Sequence, residues 1–264
     1  MSIRKYPNKE ALLLRLNKEM QVEALHEIGF REVTFDTPLS EITEYIKWAG
    51  GLRDLRIACV KISDGSMNYF TGEEWAALSA NAKSQYSKLG VCIRARKREF
   101  IVAATDCVNA NGGSTFQFGA YNIDLKGVAN YGAGNVGLYD ITTGKEDTLA
   151  VIEQTRGKTD SQGITGAPAA EAAWKYKANS NDPLQWYLPS VAEMRLLAEF
   201  KTEINAFLTK YFGGGTFASE WYWTSTEVSS TSSWYVTMHY GHSNGSNYRT
   251  SSYRVRAVSV SVAK

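Results

Sequence analysis

The sequence predicts a mixed chain of short helices and short strands. Three observations predict it. Capped segments carry apolar residues at helical spacing, as after Ser190. Other segments alternate apolar and polar residues between turn signals, as around Trp234–Met238 and Val258–Val260. No internal repeat runs through the chain. The 264 residues suit one large domain, or a medium domain with an appendage, and are ample for a buried core. With 29 basic and 27 acidic side chains the net charge is +2, which gives no broad electrostatic grip on nucleic acid or an anionic membrane. No apolar run reaches the ~18–20 residues that span a bilayer.

Residues 1–52 read as a helical appendage. Leu12, Leu13, Leu16, Met20, Leu25 and Ile28 recur near helical spacing. A second helix has Thr37 as cap, Pro38 in its first turn and Gly50-Gly51 after its end, with Ile42, Ile46 and Trp48 facing a partner. Two short helices bury little alone, so packing on the main domain or on other copies of the chain is expected.

The main domain is expected over 53–264. Arg56–Ile62 reads as a strand and Asp64-Gly65 as a turn. Thr71 and Glu74 have capping-box spacing before a short helix around Trp75. Val91–Ala95 and Phe100–Ala103 read as a hairpin pair. Residues 108–147, rich in Gly and Asn, read as loops, and Thr148–Gln154 as a helix. Ser190 and Glu193 open a helix in which Met194, Leu197, Ile204, Phe207, Leu208 and Tyr211 keep the period, and Gly213-Gly214-Gly215 ends it. Short strands and turns follow.

Several motifs have plainer readings. Gly132-Ala-Gly-Asn-Val-Gly137 matches the dinucleotide fingerprint, but a polar, glycine-rich stretch precedes it and Leu138–Gly144 breaks early, so a loop is expected. Cys59, Cys92 and Cys107 are too few and scattered for a disulfide framework, and they sit in or beside apolar runs, so buried thiols are expected rather than nucleophiles. His239 and His242 lack the helix and the acidic or cysteine companions of a metal site. Arg254-Val-Arg256 reads as the surface of a terminal strand.

Residues 229–253 carry the most information. Of these 25 residues 8 are Ser and 4 are Tyr, and only Arg249 is charged. Ser, Tyr, Gly and Asn are the mix of antibody loops, where Tyr gives large amphipathic contact area with few rotors. The segment alternates: Trp234, Val236 and Met238 point one way in a strand, and Tyr235, Thr237 and His239 the other. Val258, Val260 and Val262 alternate with Ser259 and Ser261 afterwards, which a disordered linker does not need. The genetic code adds a constraint. An AAY codon whose adenines are randomised becomes NNY, which cannot encode Trp, Met, Lys, Glu or Gln. Between 229 and 253 only Trp234 and Met238 lie outside that set, and both belong to the inward face. Lys, Glu and Gln are absent from Val228 through Ala263. This pattern fits a surface diversified by adenine-directed mutagenesis on a fixed core.

Trp186-Tyr-Leu-Pro-Ser190, Glu193, Tyr222-Trp-Thr-Ser-Thr-Glu227, Ser233-Trp-Tyr235, Gly241 and Arg254-Val-Arg-Ala-Val258 together resemble the C-type-lectin-fold variable proteins of diversity-generating retroelements, which include phage major tropism determinants. The pattern is also similar to the wider lectin-like family that shares a distant fold with formylglycine-generating enzymes. Asp64-Gly65, Glu74-Trp75, Gly90-Val91 and Phe100–Ala103 resemble the opening hairpin of these domains, so the resemblance covers about residues 55–264.

The resemblance implies a C-type-lectin-like α+β fold, with two helices and a twisted, mainly antiparallel sheet, and a variable region over about 222–258. It implies a ligand site displayed by Ser230, Ser232, His239, Tyr240, His242, Asn244, Ser246, Tyr248, Ser251 and Tyr253, with Trp223, Trp234 and Arg256 in the scaffold. Tyr240, Tyr248 and Tyr253 would be the aromatic anchors. The enzymatic relatives need a C-terminal cysteine pair for copper or a histidine-rich iron site, and sugar-binding lectins bring disulfides and an acidic calcium cluster. None of these sets is present here, so no enzyme activity, cofactor, metal or calcium is expected. The expected function is a diversified receptor-binding protein of a phage or prophage tail, whose partner is a bacterial surface protein or glycan. The alternative is a fixed-specificity carbohydrate-binding adhesin. Met1–Pro7 lacks the apolar stretch of a signal peptide, so synthesis in the cytoplasm and action from the virion tail are expected, with the bacterial cell surface as the alternative. Residues 1–52 would mount the domain or join copies of it.

Overall fold

The computed structural model describes residue 16, residues 18–27, 33–39, 42, 52–95, 98–130, 143–239 and 244–260, with backbone alone at 52–53 and 244–245. The chain divides into two compact units, residues 1–55 with 93–99, and residues 56–92 with 100–264. In the first, helix α1 (Lys18–Glu27) buries Val22 and Leu25. The Thr34 N–H donates to the Thr37 hydroxyl at 2.8 Å, and the Ile42 N–H donates to the Pro38 carbonyl at 2.9 Å, as in a first helical turn. Leu12, Leu13, Ile28, Ile46, Trp48 and Gly50-Gly51 lie outside the described residues.

The structure is α+β, and its strands form two five-stranded sheets where a single one was expected. The first contains β1 (Leu52–Lys61), β2 (Met67–Thr71), β3 (Tyr86–Ala95), β4 (Arg98–Ala103) and β10 (Val258–Val260), in the order β10-β4-β3-β1-β2. The second contains β5 (Thr115–Gln117), β6 (Trp221–Ser229), β7 (Ser232–Thr237), β8 (Asn244–Tyr248) and β9 (Ser252–Arg254), in the order β5-β9-β6-β7-β8. The described pairings are antiparallel apart from β6 and β9, which run parallel at Tyr222 and Arg254. The division falls after β9. Val255, Arg256 and Ala257 carry the chain across, and Val258 then pairs with Val102 of β4. The alternation of the last strand is accordingly incomplete, with Val258 buried and Val260 exposed.

Local signals set most helices. Helix α2 (Gly72–Ala77) starts in a full capping box: the Thr71 hydroxyl accepts from the Glu74 N–H at 3.2 Å, and the Glu74 carboxylate accepts from the Thr71 N–H at 2.7 Å. Helix α3 (Ala80–Lys83) follows, capped by Ser79. Helix α4 (Gly144–Thr155) begins one turn before the expected Thr148. Helix α5 (Pro168–Lys175) was not expected; Pro168 occupies its first turn and alanines form its buried side. The helix predicted from Ser190 to Tyr211 is two helices, α6 (Val191–Glu199) and α7 (Lys201–Phe212), separated at Phe200 with φ −103° and ψ 21°. Leu196 and Leu197 before the break and Ile204 and Leu208 after it are all buried, so the turn keeps two short apolar faces inward. Gly213 closes α7 in the left-handed region at φ +78°, which a side chain would strain.

The main core gathers Phe118, Trp186, Trp223, Leu188, Val255 and helix residues Val151, Ala169 and Ala173. Its indoles are satisfied. Trp186 Nε1 donates to Asp182 at 2.7 Å, and Trp223 Nε1 to the Phe116 carbonyl at 2.9 Å. The three cysteines are buried, and burial pushes the thiols of Cys59 and Cys107 up to about 12, which removes the thiolate a nucleophile needs. The Gly132–Gly137 motif lies outside the described residues.

Candidate functional site

The β6–β7 hairpin and β8 form the frame of the site. Trp221, Tyr222 and Trp223 pair with Thr237, Val236 and Tyr235, and Ser232 to Val236 pair in turn with Tyr248 to Asn244. Paired residues point to the same side of a sheet. Tyr222, Trp234 and Val236 therefore share one face, which α6 covers. The expected inward set is buried, with Trp234 at 4 % and Met238 at 0 % exposure. The other face carries Trp221, Trp223, Ser233, Tyr235 and Asn247, and Tyr253 from β9.

On that face four rings form one cluster. Tyr253 lies 4.5 Å from Trp223, 5.1 Å from Tyr235 and 5.3 Å from Trp221, and Trp221 lies 6.1 Å from Tyr235, centroid to centroid. The cluster runs from core to solvent: Trp223 is buried, Tyr235 is half-buried and Trp221 is 52 % exposed. Burial raises the pKa of the Tyr235 phenol, with the neighbouring Tyr253 adding to it. The Asn247 side-chain amide donates to the Tyr253 hydroxyl.

Arg249 braces the frame from below. Its guanidinium is fully buried and donates to the Ala120 carbonyl at 2.9 Å, the Ile123 carbonyl at 3.1 Å, the Ser229 carbonyl at 2.7 Å and the Ser233 hydroxyl at 3.1 Å. It also pairs with the buried Glu227 carboxylate and lies over the Phe118 ring at 5.2 Å. Burial pushes the Glu227 pKa up and the Arg249 pKa down, against the attraction between them. Arg256 does similar work nearby. It is buried, donates to Asp106 at 2.7 Å and to the Ala103 and Gly215 carbonyls at 2.9 and 2.8 Å, and covers Phe217. The surface reading of Arg256 is therefore corrected, while its scaffold role holds; Arg254 is half-buried, paired with Asp106 and Glu220.

The expected ligand residues whose side chains are described do not form one patch. Ser230 and Ser232 are half-buried at the β6–β7 turn, Ser246 is exposed on β8, and Tyr248 is 59 % exposed beside the Tyr121 ring at 6.3 Å. These flank the helix-covered side of the hairpin. His239 is exposed at the end of β7, and Ser251 is half-buried in the turn before β9. Tyr240 and His242 lie outside the described residues, and Asn244 is described by its backbone, paired with Val236. Tyr253 is a correction. It is buried at 7 % because Trp221, Trp223 and Tyr235 pack around it and Asn247 holds its hydroxyl, so it backs the surface instead of being displayed. Trp221, Tyr235 and Asn247 lie on this face and were not among the expected residues. The alternation that put Trp234 inward also put Tyr235 outward, and Trp221 pairs one register step beyond the segment that drew attention.

One match bears on the kind of domain. Residues 146–259 match the family model of the Lcl C-terminal domain. That span, less than half of the chain, runs from α4 into β10 and includes every expected ligand residue. The matched family is lectin-like, of the tropism-determinant kind. A solved structure, a fimbrial protein from Bacteroides ovatus, is similar at 13% identity and a TM-score of 0.48, over 77% of this chain and 48% of that one. The chain thus spans about half the length of that protein. No curated protein matches the sequence. Among the described residues no group of three His, Cys, Asp or Glu side chains is placed to hold a metal ion. No described helix is long and apolar enough to cross a membrane.

Proposed function

We propose that the chain is a receptor-binding protein whose Lcl-like domain displays a diversified C-terminal surface on a rigid sheet, without catalysing a reaction. One observation carries this reading. Within 229–253 the two residues that NNY codons cannot produce, Trp234 and Met238, are both buried, while the exposed positions His239, Ser246, Tyr248 and Ser252 are all NNY-encodable. A randomised AAY codon cannot have produced these two packing residues and can have produced every one of the displayed ones. A phage or prophage tail is the proposed setting and a bacterial surface protein or glycan the proposed receptor, with residues 1–52 as mount or oligomerisation element. Recognition needs no cofactor in this scheme, and paired strands should change little between free and bound forms.

The test is the neighbouring DNA. A reverse transcriptase gene, with a near-copy of the codons for about 225–258 that differs only at adenines, is the expected finding. Differences spread over all four bases, or no such copy, would sink diversification and leave a fixed-specificity adhesin.

A further inference from the structure

The aromatic cluster of the second sheet contains a residue that codon logic makes constant. Trp221 lies outside the NNY set and before the Ser/Tyr-rich segment, yet it is more than half exposed on the face that carries Tyr235 and Asn247. Its ring is held rather than loose. Tyr253 meets it edge-on at 5.3 Å and 65°, and Tyr235 is tilted against it at 6.1 Å and 58°. Beneath, Tyr253 is fixed by Trp223 and by the Asn247 amide. A large apolar ring kept in place and open to water has no packing purpose that its exposed half serves.

The chemistry around it selects a ligand class. The side chains of this shelf, Trp221, Tyr235, Tyr253 and Asn247, carry no formal charge. The charges that flank it in sequence are occupied, since Arg254 pairs with Glu220 at 3.4 Å and with Asp106 at 3.1 Å. A shelf without positive charge offers an anionic ligand no ion pair. Its π-face is weakly negative and matches the weakly positive C–H face of a pyranose ring, while Tyr235 and Asn247 bring polar atoms for the sugar hydroxyls.

We propose that Trp221, backed by Tyr253 and flanked by Tyr235 and Asn247, is a stacking shelf for a neutral sugar ring. Trp221 is the constant anchor of that shelf, and Tyr235 and Asn247 set the specificity around it. The inference rests on the ligand-binding reading and names the ligand class of that surface. Tyr235 and Asn247 are NNY-encodable, so a diversifying process would retune the rim and keep the anchor.

The full-length protein, labelled with nitrogen-15, tests it. The Trp221 indole signal is assigned with the Trp221→Phe variant. Methyl β-D-galactoside, methyl β-D-glucoside, methyl α-D-mannoside and N-acetylglucosamine are then titrated singly, with a sulfated heparin fragment as the charged counterpart. At least one neutral sugar is expected to shift the Trp221 indole signal saturably. Trp221→Ala should weaken that binding about tenfold or more, and Trp221→Phe by less than about threefold, with melting temperatures close to wild type. No shift from any neutral sugar, a shift from the sulfated fragment alone, or unchanged affinity in Trp221→Ala overturns the shelf. The two readings fail separately. A sugar shift without a template copy in the DNA leaves a fixed sugar-binding shelf, and a template copy without a sugar shift leaves a diversified surface with another anchor.

Discussion

Two aromatic clusters in this chain use the same residue types for opposite ends. One gathers Phe70, Trp75, Tyr86, Phe207, Tyr211 and Phe212 around Ile57 and Cys59. Its rings meet at 4.5–6.5 Å, Trp75 is 9 % exposed, and the Lys88 ammonium lies over Phe212 at 4.9 Å and donates to the Tyr211 carbonyl. Burial lowers the Lys88 pKa. The other cluster, Trp221, Trp223, Tyr235 and Tyr253, has similar ring distances but opens at one end to solvent. Ring spacing therefore does not separate a core from a display surface. What separates them is the cover. Helix α7 supplies Phe207, Tyr211 and Phe212 to close the first cluster, whereas among the described residues no helix closes the outer end of the second.

The sharpest way to break this comparison is to remove a ring or a brace from each side. Arg249→Ala should cost about 3–5 kcal/mol in chemical denaturation, because Glu227 would stay buried without its partner and three carbonyls would lose a donor. A loss under about 1 kcal/mol would mean that water replaces the guanidinium and that the open cluster needs no brace. Trp75→Ala should cost about 3–4 kcal/mol, as expected for emptying a closed aromatic site. Asp147 tests the polar support of β6. It is buried and accepts from the Ala129 N–H at 3.0 Å, the Thr143 hydroxyl at 2.9 Å and the Ser225 hydroxyl at 3.4 Å. Burial nevertheless pushes its pKa up to about 6. A carboxyl with a raised folded pKa holds its proton longer when folded than when unfolded, so its contribution to stability falls as pH rises from about 4 to 6 and is level above that. Asp147→Asn should remove about 1–3 kcal/mol of this slope, read from melts at pH 4.5 and 7.5; an unchanged slope would place the charge elsewhere. Trp221→Ala gives the smallest stability change, under about 1 kcal/mol, and a loss as large as that of Trp75→Ala would show that the open ring is core after all.

Much of the fold was legible because its signals are local. Both capping boxes, at Thr71 and at Ser190, lie within four residues, and the Trp234, Val236, Met238 alternation needs only the pleat of one strand. The matched span and the α+β class agree with that reading. What was not legible depends on distant partners. The division into two sheets follows from β10 finding β4 across more than 150 residues of chain. The break at Phe200 reflects the surface beneath the helices, to which the helical period is blind. Tyr253 was read as displayed because composition marks tyrosine in a Ser-rich strand as contact surface, and the indoles that enclose it come from another strand. Arg249 did leave a trace. A single charge within 25 polar and aromatic residues was more telling as a buried brace than as one more surface group.

The strand order has a consequence for synthesis. In the second sheet β9 lies between β5 and β6, and in the first sheet β10 pairs with β4, so both sheets are completed by strands translated after residue 251. While the ribosome is still reading codons for the Ser/Tyr-rich segment, β5 has no ladder and β4 keeps an open edge. Pairing across such long separations is slow, and folding should finish only after those last strands emerge. A chain cut short by a premature stop codon would thus leave both sheets unfinished and be cleared by cellular proteases. The randomised codon NNY contains no stop triplet, so rewriting the displayed residues would not create such fragments.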